Sequence, residues 1–223
     1  MCGRVTLEFD IDTIRDMLKD VYNVSDAKIH DFKPSYNMPP SSQLISIISD
    51  QGVLRAGTLK WGLVPNWTKD EKIGNKLTIA RAETIHEKPS FKESYETRRC
   101  LIVISGYYEW DTLHNTKQPY YFTLKEQPLM TLAGIWSTYI KSPTTKIHTC
   151  AIVTTVANPK SALIHNRMPV ILSDTQMDTW LHGTKESRTQ LMKPYDGVIS
   201  MKAVSTIVNS VYNDGPMLIE DIA

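Results

Sequence analysis

The sequence predicts an α+β fold built mostly on antiparallel sheet, with a few short peripheral helices. One amphipathic helical segment lies near the N-terminus, and strand-like apolar runs dominate the rest of the chain. The 223 residues contain no repeat, low-complexity segment or convincing linker, so we expect a single domain over residues 1–223. Hydrophobic residues make up 41% and charged residues 22%, which is typical of a globular protein rather than a disordered or membrane protein.

Helices are predicted at three places from apolar spacing and capping residues. The first spans Ile11–Val21, and either Asp10 or Asp12 is its N-cap. Its predicted buried face consists of Ile14, Leu18 and Val21. A short second helix is expected over residues 159–164, with Asn158 as N-cap. The third runs from Asp174 to about Leu181, is capped by Ser173 and ends near Gly183.

Strands are predicted where β-branched and aromatic residues cluster between turn residues. The predicted strands are Leu44–Ile48, Val53–Val64, Cys100–Tyr108, Tyr120–Leu124, Met130–Tyr139, Thr149–Val156 and Ala203–Val208. The Pro- and Ser-rich stretch Pro34–Ser42 is expected to be an ordered loop. This order of elements favours antiparallel pairing over a doubly wound parallel sheet.

Composition excludes some classes of function and leaves others open. The longest apolar runs, such as Leu101–Ser105, are far too short to span a bilayer, and we expect no signal peptide at the start of the chain. Three cysteines without paired spacing favour a reducing cytoplasm over a disulfide framework. A net charge of +1 does not by itself indicate nucleic-acid binding. Basic residues from distant segments are nevertheless available to converge in the fold: Arg4, Lys60, Arg81, Arg98, Arg99 and Arg167.

Cys2 is the first candidate for chemistry. A small residue at position 2 normally permits removal of Met1, which would expose an α-amine and a thiol on adjacent carbons. These groups titrate near ~7.7–8.0 and ~8.5, so both are available as nucleophiles near neutral pH. Such a 1,2-aminothiol converts an aldehyde first to a Schiff base and then to a thiazolidine ring. The alternative is an incidental residue on a frayed terminus.

Glu109 follows an apolar strand and lies among aromatic residues in the segment Ser105–Trp110. Partial desolvation at a strand end would raise its pKa and suit it to proton transfer near neutral pH. A solvated carboxylate on an alternating strand is an equally good interpretation of the same pattern.

His165 and Arg167 follow the second predicted helix and precede an apolar segment. The imidazole is suited to moving protons near neutral pH, and the guanidinium to binding a phosphate. A structural, hydrogen-bonded histidine remains the alternative.

Trp61 and Trp67 offer surfaces on which bases could stack, and of the two we expect Trp61 in the core and Trp67 exposed.

No metal or cofactor is predicted. Cys2, Cys100 and Cys150 are widely separated, and Cys100 and Cys150 fit inert core thiols. The sequence also contains no P-loop, dinucleotide fingerprint or nucleophile elbow.

Motifs in a fixed order along almost the whole chain resemble those of the SOS response-associated peptidase (SRAP) family, the abasic-site processing proteins. The matching segments are Met1–Arg4, Tyr36–Pro40, Trp61–Pro65, Ala80–Thr84, Lys88–Phe91, Gly106–Trp110, Ala133–Trp136 and His165–Leu172. The resemblance implies a compact domain with a barrel-like β core and a positively lined groove. It also implies loss of Met1, covalent bonding of Cys2 to abasic sites in single-stranded DNA, and a role in an SOS-type damage response.

The resemblance assigns roles residue by residue. Cys2 would be the nucleophile, Glu109 would stabilise the opened sugar and assist proton transfer, and His165 would help process the site. The implied DNA-binding residues are Arg4, Asn37, Pro40, Trp67, Arg81 and Arg167. We expect a cytoplasmic monomer, nucleoid-associated when bound to DNA, with autopeptidase and lyase-type activity.

Ile79 departs from the family pattern, which usually has Asn at this position. An Ile side chain cannot hydrogen-bond, and neither Asn75 nor Thr78 is an obvious substitute on a strand. We expect slower crosslinking or a rearranged contact.

Two other functions stay open from the sequence: a thiol peptidase using Cys2 and His165, and a non-covalent single-strand binding module.

Overall fold

The computed structural model describes residues 3–24, 26–29, 32–114 and 116–222. Its strands are β1 (Arg4–Leu7), β2 (Asp26–Ala27), β3 (Ser35–Met38), β4 (Gln43–Asp50), β5 (Val53–Trp61), β6 (Ile79–Arg81), β7 (Arg99–Ile104), β8 (Gly106–Trp110), β9 (Pro119–Leu124), β10 (Met130–Ser142), β11 (Thr145–Val156), β12 (Arg167–Pro169), β13 (Ile171–Leu172) and β14 (Ile199–Ala203). The α-helices are α1 (Ile11–Tyr22), α2 (Pro89–Thr97), α3 (Asp174–His182) and α4 (Lys185–Leu191). Short 3-10 helices cover Glu71–Lys76, Ser161–Leu163, Thr206–Asn209 and Pro216–Ile219.

Within the described part of the chain, five strands close into a barrel. Antiparallel pairing joins β5 to β4, β4 to β7, β7 to β10 and β10 to β11. The ring is completed by a parallel pairing of β11 with β5, in which Cys150 lies opposite Trp61. The barrel-like, mostly antiparallel core that the family resemblance implied is therefore confirmed.

A second sheet has the strand order β14-β9-β8-β1-β3 and joins the barrel where β7 ends. Ser105 lies between β7 and β8, and its N–H donates to the carbonyl of Thr6 in β1. The larger hydrophobic cluster contains Val5, Tyr107 and Phe122 from this sheet together with the side chains that fill the barrel. Both sheets therefore share one core.

Helix α1 begins at the predicted place because Asp10 caps it. The Asp10 carboxylate accepts hydrogen bonds from the N–H groups of Asp12 and Thr13. Its buried face differs from the prediction, since Val21 is 49% exposed and Tyr22 is buried instead. The Tyr22 hydroxyl lies 2.7 Å from Oγ1 of Thr131, a barrel contact that helical spacing alone does not reveal.

Helix α3 confirms the prediction from capping residues. Ser173 and Gln176 form a capping box at its start, and Gly183 follows its last residue. Trp180 lies fully buried against the barrel, where its indole N–H donates to the carbonyls of Cys100 and Gly134.

Other predicted elements need correction. The run Cys100–Tyr108 is two strands in different sheets, and the strand predicted from Val53 ends at Trp61 because Gly62 has a φ of +127°. Residues 159–164 form only a single 3-10 turn, although Asn158 Oδ1 does accept from the N–H of Ser161. The last strand is Ile199–Ala203 rather than Ala203–Val208, because Ser205 caps a 3-10 helix over the following residues. Strand β3 and helices α2 and α4 were not predicted.

Candidate active site

Glu109 lies near the C-terminal end of β8, opposite Tyr120 of β9. Its side chain is only 3% exposed, in agreement with the desolvated alternative of the sequence analysis. Burial raises the pKa of this carboxyl above its ordinary value. Glu109 is therefore protonated to a higher pH than a surface glutamate, which suits it to donate a proton.

His165 faces Glu109 from the turn that follows the 3-10 helix Ser161–Leu163. Its backbone N–H donates to the carbonyl of Ser161, and its ring Nδ1 accepts from the N–H of Arg167 at 3.0 Å. Because Nδ1 accepts, a neutral ring carries its proton on Nε2, which lies 3.9 Å from Oε1 of Glu109. Burial lowers the pKa of His165, so the ring is neutral at physiological pH.

Glu109 and His165 form an acid–base pair. Burial raises the pKa of the carboxyl and lowers the pKa of the imidazole, so the two values lie closer together than in water. A carboxyl with a raised pKa and an imidazole with a lowered pKa are suited to opposite proton transfers in one reaction. The structure brings Glu109 and His165 together from segments 56 positions apart in the chain, as the family resemblance implied.

The first strand enters the second sheet next to Glu109. Arg4 lies opposite Tyr108, the residue before Glu109, and the strand runs antiparallel to β8. Gly3 is the first described residue, so the prediction for Cys2, and with it Met1, lies outside the described residues. Strand β1, Arg4–Leu7, anchors the start of the described chain beside the acid–base pair.

Arg4 is buried, with 9% of its surface exposed, and its guanidinium is engaged within the protein. Nη1 donates to Oδ1 of Asn37 and to the carbonyl of Val208. The guanidinium carbon also lies 5.7 Å from the ring centroid of Trp110, a cation–π arrangement. The DNA-binding role of Arg4 stays a prediction.

Asn37 holds residues 204–219, which we call the C-terminal segment, against the second sheet. Its amide nitrogen donates to the carbonyls of Ser210 and Asn213 at 3.0 and 2.7 Å. Trp110 adds a hydrogen bond from its indole nitrogen to Oδ1 of Asn209. Asn37 is 3% exposed, so its placement is that of a structural anchor, and its DNA-binding role also stays a prediction.

Arg167 and Arg81 lie on β12 and β6, the two strands that flank the end of β11. Arg167 is opposite Val156, and Arg81 is opposite Thr154. Arg81 is exposed, whereas the Arg167 guanidinium forms a bidentate ion pair with Glu83, with Nη2 3.0 Å from Oε2. This end of the barrel thus carries two arginines, one on each side of β11, and the carboxylate of Glu83 is paired with Arg167.

Pro40 lies in the turn between β3 and β4, and Trp67 lies in the loop that follows β5. Trp67 is 57% exposed and Trp61 is 1% exposed, as predicted. Ser41, next to Pro40, donates its N–H to the carbonyl of Trp61. Gly62 and Gly74 come close at the two ends of the loop that carries Trp67, because a Cβ on Gly62 would lie 2.6 Å from the carbonyl oxygen of Gly74.

Ile79 is partly buried and packs against the hydrophobic core. It pairs with Ile152 of β11, two residues before Arg81 on the same strand. Neighbouring Thr78 uses its carbonyl to accept from Trp61 Nε1, and Asn75 is an exposed residue of a 3-10 helix. The effect of this departure from the family pattern stays a prediction.

The remaining candidates are accounted for by packing. Cys100 and Cys150 are fully buried, and burial raises the pKa of both thiols, so neither is a nucleophile. Arg99 does not converge with the other basic residues, because it donates to the carbonyls of Tyr95, Glu96 and Leu181.

Over the described ranges, no group of three or more His, Cys, Asp or Glu residues is arranged to hold a metal ion. None of the described helices is both long and apolar enough to cross a membrane.

Glu83 and Trp110 belong to this region and were not identified as site residues from the sequence. Both lie inside motifs that were recognised, but the partners that give them a role, Arg167 and Arg4, are 84 and 106 positions away. A sequence pattern carries no signal for contacts at such separations.

Known proteins resemble this chain in sequence and in fold. The family model described as SOS response associated peptidase (SRAP) matches residues 1–211. "Abasic site processing protein YoqW" of Bacillus subtilis (strain 168) is 41% identical over 226 residues, covering 99% of each chain. "Abasic site processing protein HMCES" of Gallus gallus is 31% identical over 221 residues, covering 83% of this chain and 65% of the relative.

Crystal structures at lower identity share the fold. A protein from Bacteroides thetaiotaomicron superposes over the whole of both chains with a TM-score of 0.87 at 24% identity. A protein from Bordetella bronchiseptica has a TM-score of 0.77 at 23% identity, covering 92% of this chain and all of its own. With the family match over residues 1–211, the chain belongs to the SOS response associated peptidase (SRAP) family.

Proposed function

We propose that this protein captures abasic sites in single-stranded DNA as a covalent thiazolidine through Cys2, after removal of Met1. The observation that carries the proposal is the Glu109–His165 pair beside the point where β1 enters the sheet. The names of the relatives, abasic site processing proteins, support the lesion as the target.

Removal of Met1 is a hydrolysis. Water adds to the carbonyl of Met1, the peptide bond breaks, and the leaving nitrogen takes up a proton to become the α-amine of Cys2. A neutral His165 is suited to accept the proton of the attacking water, and a protonated Glu109 to deliver one to the leaving nitrogen. The same pair would then serve the capture reaction.

Capture forms two bonds and releases one water. The Cys2 amine adds to the aldehyde carbon of the opened sugar, and the resulting hydroxyl leaves as water when Glu109 protonates it. The thiol then loses its proton to His165, and the sulfur adds to the imine carbon to close the five-membered ring. The ring nitrogen takes up a proton, so the step needs no oxidant or cofactor.

The DNA strand would run across this end of the barrel, where Arg81 and Trp67 are exposed. Arg81 and Arg167 would bind phosphates, Trp67 would stack on a base, and Pro40 would shape the place where the strand bends. Stacking on Trp67 needs an unpaired base, which favours single-stranded over duplex DNA. Arg4 and Asn37 would bind the DNA near the start of β1. Nε of Arg4 is buried there and has no hydrogen-bond partner among the described residues.

The durable bond would shield the lesion during an SOS-type damage response. The protein would act as a cytoplasmic monomer that is held at the nucleoid when crosslinked.

A denaturing gel with an abasic oligonucleotide tests the proposal. We expect a band that survives denaturation and whose intact mass equals protein without Met1 plus DNA minus one water. Cys2→Ala and Cys2→Ser, which keep the α-amine and lack the thiol, should lose this band and give an adduct only after trapping with borohydride. Cys100→Ala is the matched control and should crosslink normally, since this thiol is buried.

The other outcomes each contradict the proposal in a recognisable way. Retention of Met1 in the purified protein would remove the amine and with it the mechanism. Cleavage of an unrelated protein by the native chain, with no adduct, would instead identify a thiol peptidase. Salt-sensitive binding without any covalent product would identify a single-strand binding module.

A further inference from the structure

The guanidinium of Arg167 is already occupied by an anion from the protein itself. Nη1 and Nη2 each donate to one carboxylate oxygen of Glu83, a bidentate arrangement. This is the same fork with which arginine binds a phosphate, since both anions offer two oxygens to two parallel N–H groups. A DNA phosphate at this fork would therefore have to take the place of Glu83.

Arg167 is the fixed member of the pair. Its Nη2 also donates to the carbonyl of Thr154 at 2.8 Å, and β12 pairs with β11 on the same side. Its side chain is only 12% exposed. The guanidinium is therefore held by the barrel whether or not Glu83 is bound to it.

Glu83 is the member that faces solvent. Its side chain is 48% exposed, and it lies in the turn after β6 rather than in a strand. The hydrogen bond from Arg167 holds the pKa of its carboxyl below the ordinary value, with a smaller contribution from the charge of Arg81. The carboxylate is thus ionised at neutral pH and neutralises charge on the two arginines that the proposed function assigns to phosphates.

We propose that Glu83 is a specificity-determining residue that occupies the phosphate-binding fork of Arg167 in the DNA-free protein and gives way to a backbone phosphate on capture. This inference rests on the proposed function, because it takes single-stranded DNA as the ligand of this surface. Competition by Glu83 weakens the hold on undamaged DNA, which has no aldehyde to react. A lesion is retained in spite of this competition because a covalent bond follows binding.

Binding of undamaged DNA to Glu83→Gln tests the inference, with a fluorescent oligothymidylate as the probe and anisotropy as the measurement. We expect the variant to bind roughly three- to ten-fold more tightly than the native protein at low salt. One additional phosphate contact should also steepen the plot of log affinity against log salt by about 0.7. A destabilised or misplaced site would lose affinity, so a gain is not expected from a purely structural role.

Glu87→Gln is the matched control because Glu87 lies in the same turn, is 69% exposed and pairs with His86. It removes the same charge and should change affinity by less than two-fold. In an Arg167→Gln background, Glu83→Gln should give no further gain, since the fork that it frees is gone. Thermal melting of each variant checks that it folds, and Glu83→Ala provides a second variant that cannot hydrogen-bond to Arg167.

The inference is overturned if Glu83→Gln and Glu83→Ala bind the probe no more tightly than Glu87→Gln. It is also overturned if their gain persists without Arg167. Because the probe has no abasic site, this result is independent of crosslinking. Absence of an adduct with abasic DNA would contradict the proposed chemistry. The competition between Glu83 and a phosphate for Arg167 could still be measured with the undamaged probe.

Discussion

Nε2 of His165 lies 3.9 Å from Oε1 of Glu109, while Nδ1 of the same ring is held by the backbone N–H of Arg167. The ring therefore presents to the carboxyl the nitrogen that carries the proton in its neutral form. This orientation is set by the backbone of β12, so it does not depend on a bound substrate.

Glu109→Gln should stabilise the protein at alkaline pH and abolish efficient capture. Burial raises the pKa of Glu109 above 4.5, so its contribution to stability is present below that value and is lost as pH rises through the folded pKa. Glutamine has the same shape without the buried charge. We expect the melting temperature of the variant to exceed that of the native protein by about 1–3 °C at pH 8 and to equal it at pH 4. A lower melting temperature at pH 8 would mean that the ionised carboxylate is stabilised in place.

His165 should titrate below 6.5 in the folded protein, because burial lowers its pKa. Its contribution to stability is present above 6.5 and is lost as pH falls through the folded midpoint. NMR of the ring nitrogens should give this midpoint and show the proton on Nε2 in the neutral form. The same ring in urea-unfolded protein is the reference, and equal midpoints in the two states would contradict the prediction.

Asn37→Ala should release the C-terminal segment. The variant loses hydrogen bonds to the carbonyls of Ser210 and Asn213 and removes the side-chain oxygen to which Nη1 of Arg4 donates. We expect the free energy of unfolding to fall by about 2–4 kcal/mol and hydrogen exchange over residues 204–219 to rise. Asn66→Ala, which removes an exposed hydrogen bond to Glu93, is the control and should leave both quantities nearly unchanged.

Gly134→Ala should strain the barrel wall. A Cβ at this position would lie 2.7 Å from Sγ of Cys100 and from Cδ1 of Ile102, closer than packed atoms tolerate. Chemical denaturation should show a loss of about 1–3 kcal/mol. The loss should shrink in a Cys100→Ala background, which removes one of the clashing atoms. Gly57→Ala, whose nearest neighbour is the carbonyl oxygen of Lys28 at 3.6 Å, should have little effect.

Ile79→Asn should speed crosslinking, because it restores a hydrogen-bonding side chain on the strand that carries Arg81. It should also lower stability by about 1 kcal/mol, since Ile79 packs partly into the core. Single-turnover crosslinking rates compare the variant with Ile79→Val, which keeps the apolar packing. A rate no faster than that of Ile79→Val would show that this position does not limit the reaction.

Local signals in the sequence were enough for the elements that depend on neighbouring residues. Asp10 and Ser173 identify the starts of α1 and α3 because a capping side chain acts within three residues of its own position. The strand break at Ser105 escaped prediction, because its cause is the pairing of this residue with Thr6 of a strand far away in the chain. Motifs located Glu109 and His165, whereas the partners of Arg4 and Arg167 depend on how the sheets close.

The pairing of β1 with β8 imposes an order on assembly during synthesis. Arg4 cannot meet Tyr108 until at least 104 further residues have been added, which takes about 5–20 s at a translation rate of roughly 5–20 residues per second. Throughout that interval β1 can pair with β3 but not with β8, so the strand that carries Glu109 is still missing from the sheet. The emergence of β8 from the ribosome therefore separates a stage at which β1 has one neighbouring strand from a stage at which it has two.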